Sequence, residues 1–570
     1  MSATNSRFEK YTVVQLKQIL KNNHLTVSGN KSVLIKRLEE HYKDHPYGPT
    51  LASKTISKSI HKTTPESTSI YKPPILPITD AIQKLILKHS INVRDFRSMI
   101  KALMDNMNIP ALAFRINTSH EDITFNDKNN FATAITHNTT TNTVNLDIDI
   151  DDIIADGLRG NRSIKNLTIH VSNIKTLKSF IPQNLENLYI IVQNSDNNAI
   201  VHKFVNKFVK HVKSNTTLQK LIIEDFTNYY YDVNMVLNNV LSIFNNNLSI
   251  RYLQISVKNL KFLEHSITSI VNSNISQLHI HYGLWNVDTY TLLINSLIDN
   301  KHITHLSING HHQTTAHDNG INDDTLSVAF EQLFSKNYTI EHVSFNQPFK
   351  NAIGYGIVKG LEKNRSIRML DMHGNMFSEE IYVLIANIIS HSDVLNVVKL
   401  ESVLLGRKDI DGAMQSPYHP DITLDMVEEA FAKALINNNS LVVLEIKHNQ
   451  FTTGSIFDAL KHNSSLKTLD LKYNQFKDNV VDHIIDMIVS NTSLTSIDIS
   501  NAPHQYLIDG ENINKILKFI EYHPNIVHFK IGYQMRHANV HNLAYPFLQR
   551  NIERQQMTSE SLVEKLLTML

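Results

Sequence analysis

At 570 residues, with 42% hydrophobic and 19% charged side chains, the chain has ample apolar material. It is too long for one compact core, so several domains or one elongated repeat array are expected. It contains no cysteine, which removes thiol catalysis, disulfide staples and cysteine-ligated zinc together. The net charge of +1 hides an asymmetry: residues 1–78 hold twelve Lys/Arg against five acids, a balance of +7, which leaves −6 for the rest. A small basic head on a mildly acidic body suits a polyanion-binding module attached to something else.

The first residues, MSATNSRFEKYT, carry no apolar signal core, and no window approaches eighteen apolar residues. The expectation is an intracellular chain with no membrane span. Residues 8–43 then read as two short helices. Thr12 and Gln15 form a capping box before a helix with Val13, Leu16, Ile19 and Leu20 on one face. Leu25 crosses over, Ser28-Gly29 turns, and Asn30 caps a second helix with Leu34, Ile35 and Leu38 inward. The outward side of that helix offers Lys31, Lys36 and Arg37, and its N-terminal N–H groups favour phosphate. A nucleotide loop is excluded by geometry: Asn30 separates Gly29 from Lys31, no upstream glycine exists, and a helix rather than a strand precedes.

This pattern, L-K-x-x-L followed by G-x-K-x-x-L-x-x-R-L, resembles the SAP domain, a DNA-binding helix–extended–helix module. It is carried by Leu16-Lys17, Leu20, Leu25, Ser28-Gly29, Lys31, Leu34, Arg37 and Leu38. The resemblance implies contact with the duplex DNA backbone, leaning to AT-rich sequence, with Lys31 and Arg37 on phosphate and Lys17 and Lys36 in support. A helical domain used only for protein contacts is the alternative.

Residues 44–78 hold six of the fourteen prolines with many Ser and Thr, the composition of a flexible tether. Residues 79–139 are expected to form a helical cap, 140–535 a repeat array, and 536–570 a second helical cap. Within the array one phrase returns: NRSIRMLDMHGN (Asn364–Asn375), NNSLVVLEIKHN (Asn438–Asn449) and NSSLKTLDLKYN (Asn463–Asn474). Looser copies start at Asn161, Asn215, Asn247, Asn300, Asn337 and Asn491, with degenerate ones around Leu146, Leu188, Leu278, Val398 and Phe529. The middle apolar residue repeats at Leu253, Leu278 and Leu306, at Val343, Leu370 and Val398, and at Leu444, Leu469 and Ile497. In each unit a short alternating strand precedes an amphipathic helix such as VVDHIIDMIVSN. Asn474 is expected to satisfy backbone groups after the strand, and Asn491 to adopt the left-handed conformation past the helix. Stacked units bury a continuous core, and their parallel strands line an inner surface.

The phrase resembles the leucine-rich repeat of the ribonuclease-inhibitor type, through Leu441-Leu444-Ile446-Asn449, Leu466-Leu469-Leu471-Asn474 and Ile367-Leu370-Met372-Asn375. It implies an α/β horseshoe solenoid over about 140 to 535. The stretch 405–423 departs from it as an insertion.

Other motifs resolve into ordinary structure. GYGIVKG (Gly354–Gly360) aligns with a repeat helix and lacks the strand a dinucleotide fingerprint needs. Asp147, Asp149 and Asp151 read as a solvated strand face, without the glycine and terminal Glu of a calcium loop. His302, His305, His311, His312 and His317 cluster in a chain with thirty histidines, and His537 and His541 lack a zinc-protease glutamate. No metal, cofactor or small-molecule substrate is expected, and no nucleophile–base pattern marks an enzyme. On the inner face the residue between two buried strand positions is Asp371, Glu445, Asp470 and Asp498, with Lys447 and Lys472 two further on. Such a column suits a charged protein partner, and it is equally what any solvated strand face shows.

The expected function is a non-enzymatic adaptor: the N-terminal module on duplex DNA, a tether for reach, and the solenoid on a protein partner. A substrate-recruiting adaptor of a ubiquitin or SUMO ligase is a second reading, since both resembled families occur there. A structural or packaging component of a DNA virus particle is a third, suggested by an Asn- and Ile-rich style similar to proteins of AT-rich genomes. The corresponding place is the nucleus or a site of DNA replication or viral assembly.

Overall fold

In the computed structural model the chain separates into two units, Met1–Lys72 and Pro73–Leu570. The structure describes Val13, Leu20, Thr26, residues 28–41 and most of 90–531, where the longest stretches left out are 171–179, 193–207, 226–237, 311–322 and 402–421. The expected tether, the C-terminal cap and nearly all of the 405–423 insertion lie outside the described residues.

The first unit contains the helix Lys31–His41. Leu20, Leu34 and Leu38 are fully buried and Ile35 nearly so, the inward set that the 3.6-residue period predicts. Val13 departs from it and is exposed.

The second unit is an α/β solenoid. Its strands are β1 (Ser90–Ile91), β2 (Ala111–Ile116), β3 (Thr143–Asp147), β4 (Asn166–His170), β5 (Asn187–Val192), β6 (Lys220–Asp225), β7 (Tyr252–Val257) and β8 (Gln277–His281). They continue as β9 (His305–Asn309), β10 (His342–Asn346), β11 (Met369–Asp371), β12 (Val397–Glu401), β13 (Val443–Lys447), β14 (Thr468–Asp470), β15 (Ser496–Ile499) and β16 (His528–Ile531). Among the described residues these sixteen strands form one sheet in chain order. Their pairings are parallel, with helices as crossovers such as Asp324–Lys336 and Leu424–Asn437.

The periodic markers fall in one register row. Leu253 pairs with Leu278, Leu278 with Leu306, Leu306 with Val343, and so on through Leu370, Val398, Leu444, Leu469 and Ile497 to Phe529. Toward the N-terminus the row passes through Val144 and not Leu146. Residues two apart share a strand face, so apolar pattern alone cannot choose between them. The expected helical cap at 79–139 is instead part of the sheet in its described portion. It supplies β1 and β2 with the helices Val93–Met104 and Phe125–His137. Its strand ALAFRI follows the same asparagine phrase, NMNIPALAF (Asn106–Phe114), in which Asn106, Ile109, Leu112 and Phe114 match Asn364, Ile367, Leu370 and Met372, so continuing the pattern would have found it.

Asparagines bind neighbouring repeats together, but not as expected. Asn161, Asn337, Asn438 and Asn491 end their helices in extended backbone, with φ between −73 and −91° and ψ between 121 and 139°. None is left-handed. Their side chains reach across repeats instead. The amide of Asn463 donates to Leu435 O (2.7 Å) and Asn438 O (3.1 Å), while its oxygen accepts from the N–H of Ser465 and Leu466. Asn491 repeats this against Leu460 and Asn463, and Asn364 against Phe334 and Asn337. A second row behaves as the sequence predicts: Asn474 donates to Ile446 O and Leu471 O and accepts from the N–H of Asn449 and Phe451. Left-handed residues flank this second row at Gly374 (φ 70°), His448 (φ 56°), Gln450 (φ 57°) and Tyr473 (φ 62°), and one asparagine, Asn106 (φ 50°), is left-handed just past the helix Val93–Met104.

Among the described residues the last rung of the ladder is titratable. Buried His523 takes the asparagine's place: its Nδ1 accepts from the N–H of Asn525 (3.1 Å) and Ile526 (3.0 Å), and its Nε2 donates to Asn491 O (2.6 Å). Burial holds its pKa below the usual imidazole value, against the pull of the Asn491 carbonyl. The unfolded chain therefore binds the proton more readily than the fold. Stability is full above about pH 6.5 and falls as the pH drops from there toward the lowered folded value. Urea midpoints at pH 7.5 and 5.5 should fall further apart in the wild type than in His523→Asn. Equal losses would remove His523 from the ladder's acid response.

GYGIVKG lies on the helix Asn351–Leu361, as its alignment predicts. Its glycines permit close packing: a Cβ on Gly356 would stand 2.1 Å from the Ser327 carbonyl oxygen, and one on Gly360 2.6 Å from Phe334 Cβ. Asp147 lies on β3 and pairs with Arg115 at 3.5 Å. Asp151 is not on the strand; it caps the helix Asp152–Gly160, accepting from the N–H of Ile153 and Ile154, and pairs with Lys128 at 2.8 Å. Alternation cannot tell a strand residue from an N-cap that follows it. Asp149 is outside the described residues.

Candidate functional site

In the first unit the turn into the basic helix is built by Gly29 and Asn30. Gly29 has φ 128°, and a Cβ there would lie 2.8 Å from Val33 Cγ1, so the position needs glycine. The Asn30 side chain accepts from the Val33 N–H (3.2 Å) and the Ser32 hydroxyl (2.8 Å). The cap thus takes one of the N–H groups expected to favour phosphate, which puts the weight on side-chain charge. Lys31 and Lys36 are exposed on this helix. Arg37 is half-buried, and its Nη1 donates to Thr26 O (2.5 Å) and Ser28 O (3.0 Å). That guanidinium nitrogen ties the crossover segment to the helix, so Arg37 positions the turn as well as carrying charge. Lys17 lies outside the described residues.

In the second unit the sheet has one face against the helices and one open. The predicted column stands on the open face in a single row: Ser344, Asp371, Lys399, Glu445, Asp470, Asp498 and Lys530 are successive register partners. Sequence reasoning missed Lys399 and Lys530. Both occupy the same strand position in the degenerate repeats around Val398 and Phe529, where continuing the register would have found them. The row largely neutralises itself. Lys399 meets Glu445 at 2.8 Å, Lys447 meets Glu445 at 2.7 Å and Asp470 at 3.5 Å, and Lys530 meets Asp498 at 3.7 Å.

Asp371 is bonded by His373, whose other nitrogen lies 3.6 Å from Glu401. Lys472 leaves the column; its ammonium lies 4.7 Å from the centroid of the Tyr473 ring. Burial would raise Glu445, but Lys399 and Lys447 outweigh it and hold the carboxyl below its usual value. Asp470 ends up above its usual value, through burial and the neighbouring Asp498 and Glu445, because it shares Lys447. Asp470 is the under-compensated acid of the face.

Further toward the N-terminus the same face is aromatic. Tyr252 and His279 stack with centroids 4.8 Å apart, and His305 and His342 lie 4.1 Å apart. Of the predicted histidine cluster, His302 is exposed, His305 joins this row, and the other three lie outside the described residues. Among the described residues no group of three or more His, Asp or Glu is placed to hold a metal. No described helix is long and apolar enough to cross a membrane.

The SAP domain family model matches residues 7–43. The chain carries an N-terminal SAP domain. No curated protein matches the chain. Among solved structures it is similar to the Rad7 and Elc1 complex of yeast, at 14% identity over 85% of this chain and 96% of that one, with a TM-score of 0.39. It is also similar to the leiomodin-1 actin-binding site 2, at 19% identity over 26% of this chain and 83% of that one, TM-score 0.23. The tropomodulin C-terminal domain of Caenorhabditis elegans matches at 12% identity over 25% and 83%, TM-score 0.22.

Proposed function

We propose that this chain is a non-enzymatic adaptor: its SAP domain contacts the duplex DNA backbone, and its solenoid holds a protein partner on the open sheet face. The observation that carries the reading is the SAP domain itself, with Lys31 and Lys36 exposed on its second helix. Exposed lysines on a preformed helix attract phosphate without reading bases, so binding is salt-sensitive and broad in sequence. Arg37 and Lys17 support them. Residues 44–78 act as a tether that raises the effective concentration of a partner near DNA.

Helices are about twice as wide as the spacing between strands, so a stack of such units curves with its strands inside. That supports a horseshoe of the ribonuclease-inhibitor type with Asp371, Glu445, Lys447, Asp470 and Asp498 on its concave side, Lys472 having turned out of the column. The chain acts in the nucleus or where DNA is replicated or packaged.

Capture on duplex-coated beads tests the reading. The full chain should bring the same proteins to DNA as it binds in solution, and Lys31→Glu/Lys36→Glu should release chain and partners together. Ligase subunits in the captured set would make the chain a substrate-recruiting adaptor, in which it recruits only, having no cysteine for a RING. Particle proteins would make it a packaging component. Partners that reach DNA equally well without the chain would contradict the adaptor role.

A further inference from the structure

The open face changes chemistry along the sheet. From β11 onward it is charged and self-paired, whereas β7 to β10 present Tyr252, Gln254, His279, His281, His305 and His342 on consecutive rows. Among the described residues few fixed charges face this row. Lys220 on β6 places its ammonium 4.2 Å from the centroid of the Tyr252 ring. Glu224, also on β6, is held by the Tyr189 hydroxyl and by Gln254 Nε2 at 3.3 Å. Glu341, just before β10, lies 3.9 Å from Arg368.

The neighbouring carboxylates are therefore engaged. By contrast, the buried Nε2 of His279 has no hydrogen-bond partner among the described residues, and neither does the buried Oδ1 of Asn346 on β10. Burial, then His281, His305 and Lys220, hold His279 down to about 4. Burial also lowers His281, against Glu224, and lowers His305, where His342 adds to it and Glu341 opposes it. The lowered imidazoles of His279, His281 and His305 gain protons when an anion arrives.

We propose that the open face of β7–β10 docks an acidic segment of a partner protein, its carboxylates received by His279, His281, His305 and His342 beside Lys220. This rests on the reading of the open face as the partner-binding surface. Two features select a peptide over a nucleic-acid strand. One lysine beside a glutamate is too little cation for a run of phosphates. The bare oxygen of Asn346 calls for a donor, which a peptide backbone carries at every residue, whereas a DNA strand has none along its backbone and only those on its bases. Asp371, the register partner of Ser344, sets the far limit of the segment by repulsion. Each carboxylate that lands favours the imidazolium, so binding takes up protons and tightens as the pH falls.

The test uses the full chain and a fluorescein-labelled peptide of eight aspartates, with anisotropy read at pH 7.5 and 6.0 at fixed ionic strength. Aspartate stays ionised across that range, so the change reports the protein. Affinity should rise about fivefold or more at pH 6.0. His279→Gln/His281→Gln should remove the pH dependence, and Lys220→Gln should weaken binding at both values. Binding to the basic N-terminal segment is unaffected by these changes and is identified with Lys31→Glu/Lys36→Glu.

A pH-independent affinity, or a His279→Gln/His281→Gln protein with unchanged melting and unchanged binding, overturns the proposal. So does an oligothymidylate that outcompetes the peptide at these histidines. If Glu445→Lys/Lys447→Glu abolishes partner capture while the histidine variant leaves it intact, this inference fails and the partner-binding reading stands. If neither variant alters capture, that reading itself fails.

Discussion

Asn463→Ala should destabilise the solenoid by about 3–5 kcal/mol, among the largest losses a single polar substitution can give. Asn463 is 5% exposed, and its side chain satisfies four backbone groups in two repeats. Alanine leaves the carbonyls of Leu435 and Asn438 and the N–H groups of Ser465 and Leu466 without those partners. Each unsatisfied buried group costs about 1–3 kcal/mol, less where water can enter. The chain contains its own reference for a milder change. At Ser392 a hydroxyl accepts from the N–H of Val394 and Leu395 within the turn. Asn463→Ser should therefore keep the local bonds, lose the inter-repeat ones, and fall between wild type and alanine. Ser464→Ala, at an exposed neighbour, should be neutral. Urea unfolding followed by circular dichroism ranks the four proteins. Alanine and serine of equal stability would mean that the inter-repeat bonds contribute nothing.

The second large loss is expected at Glu428. This fully buried carboxylate on the helix Leu424–Asn437 accepts from the N–H of Thr452 (3.1 Å), Thr453 (2.9 Å) and Gly454 (3.0 Å). Those donors form the start of the next repeat's helix, Ser455–Leu460, entered through Gly454 at φ 100°. A charge at a helix start is favourable, but burial lifts the Glu428 carboxyl above its usual value despite the bonds from Thr453 and Thr452. Glu428→Ala removes all three acceptors and should cost about 2–4 kcal/mol. Glu428→Gln keeps the shape but turns one acceptor into a donor facing an N–H, and should lose a substantial part of that. Its stability should also vary less with pH. In the wild type the fold binds the proton more readily than the unfolded chain, so this group's contribution declines as pH rises from the ordinary glutamate value through the raised one. Thermal melts of the three proteins between pH 4.5 and 7.5 read both effects.

What was legible in the sequence is what depends on local period. The marker row from Leu253 to Ile497 and the inward set Leu34, Ile35 and Leu38 follow from alternation and helical spacing. What was not legible depends on partners far along the chain. Asn491 looks like a residue that tolerates the left-handed region, and only the preceding repeat shows why its side chain must reach backward. Lys399 sits in a degenerate copy, so its pairing with Glu445 appears once the strands are in register. Asp151 shows the same limit at a strand end. In the SAP domain, Arg37 matches the family pattern by position, yet its Nη1 is engaged with Thr26 and Ser28. The division between Lys31 and Lys36 as surface charge and Arg37 as a brace follows from coordinates alone.

The most direct measurement is the affinity of the full chain for a fluorescent duplex as salt is raised. Log affinity should fall linearly with log salt, and Lys31→Glu/Lys36→Glu should weaken binding by about tenfold or more and flatten the slope by roughly two. Glu445→Lys/Lys447→Glu should leave DNA binding unchanged. A duplex affinity indifferent to salt and to Lys31→Glu/Lys36→Glu would contradict the account.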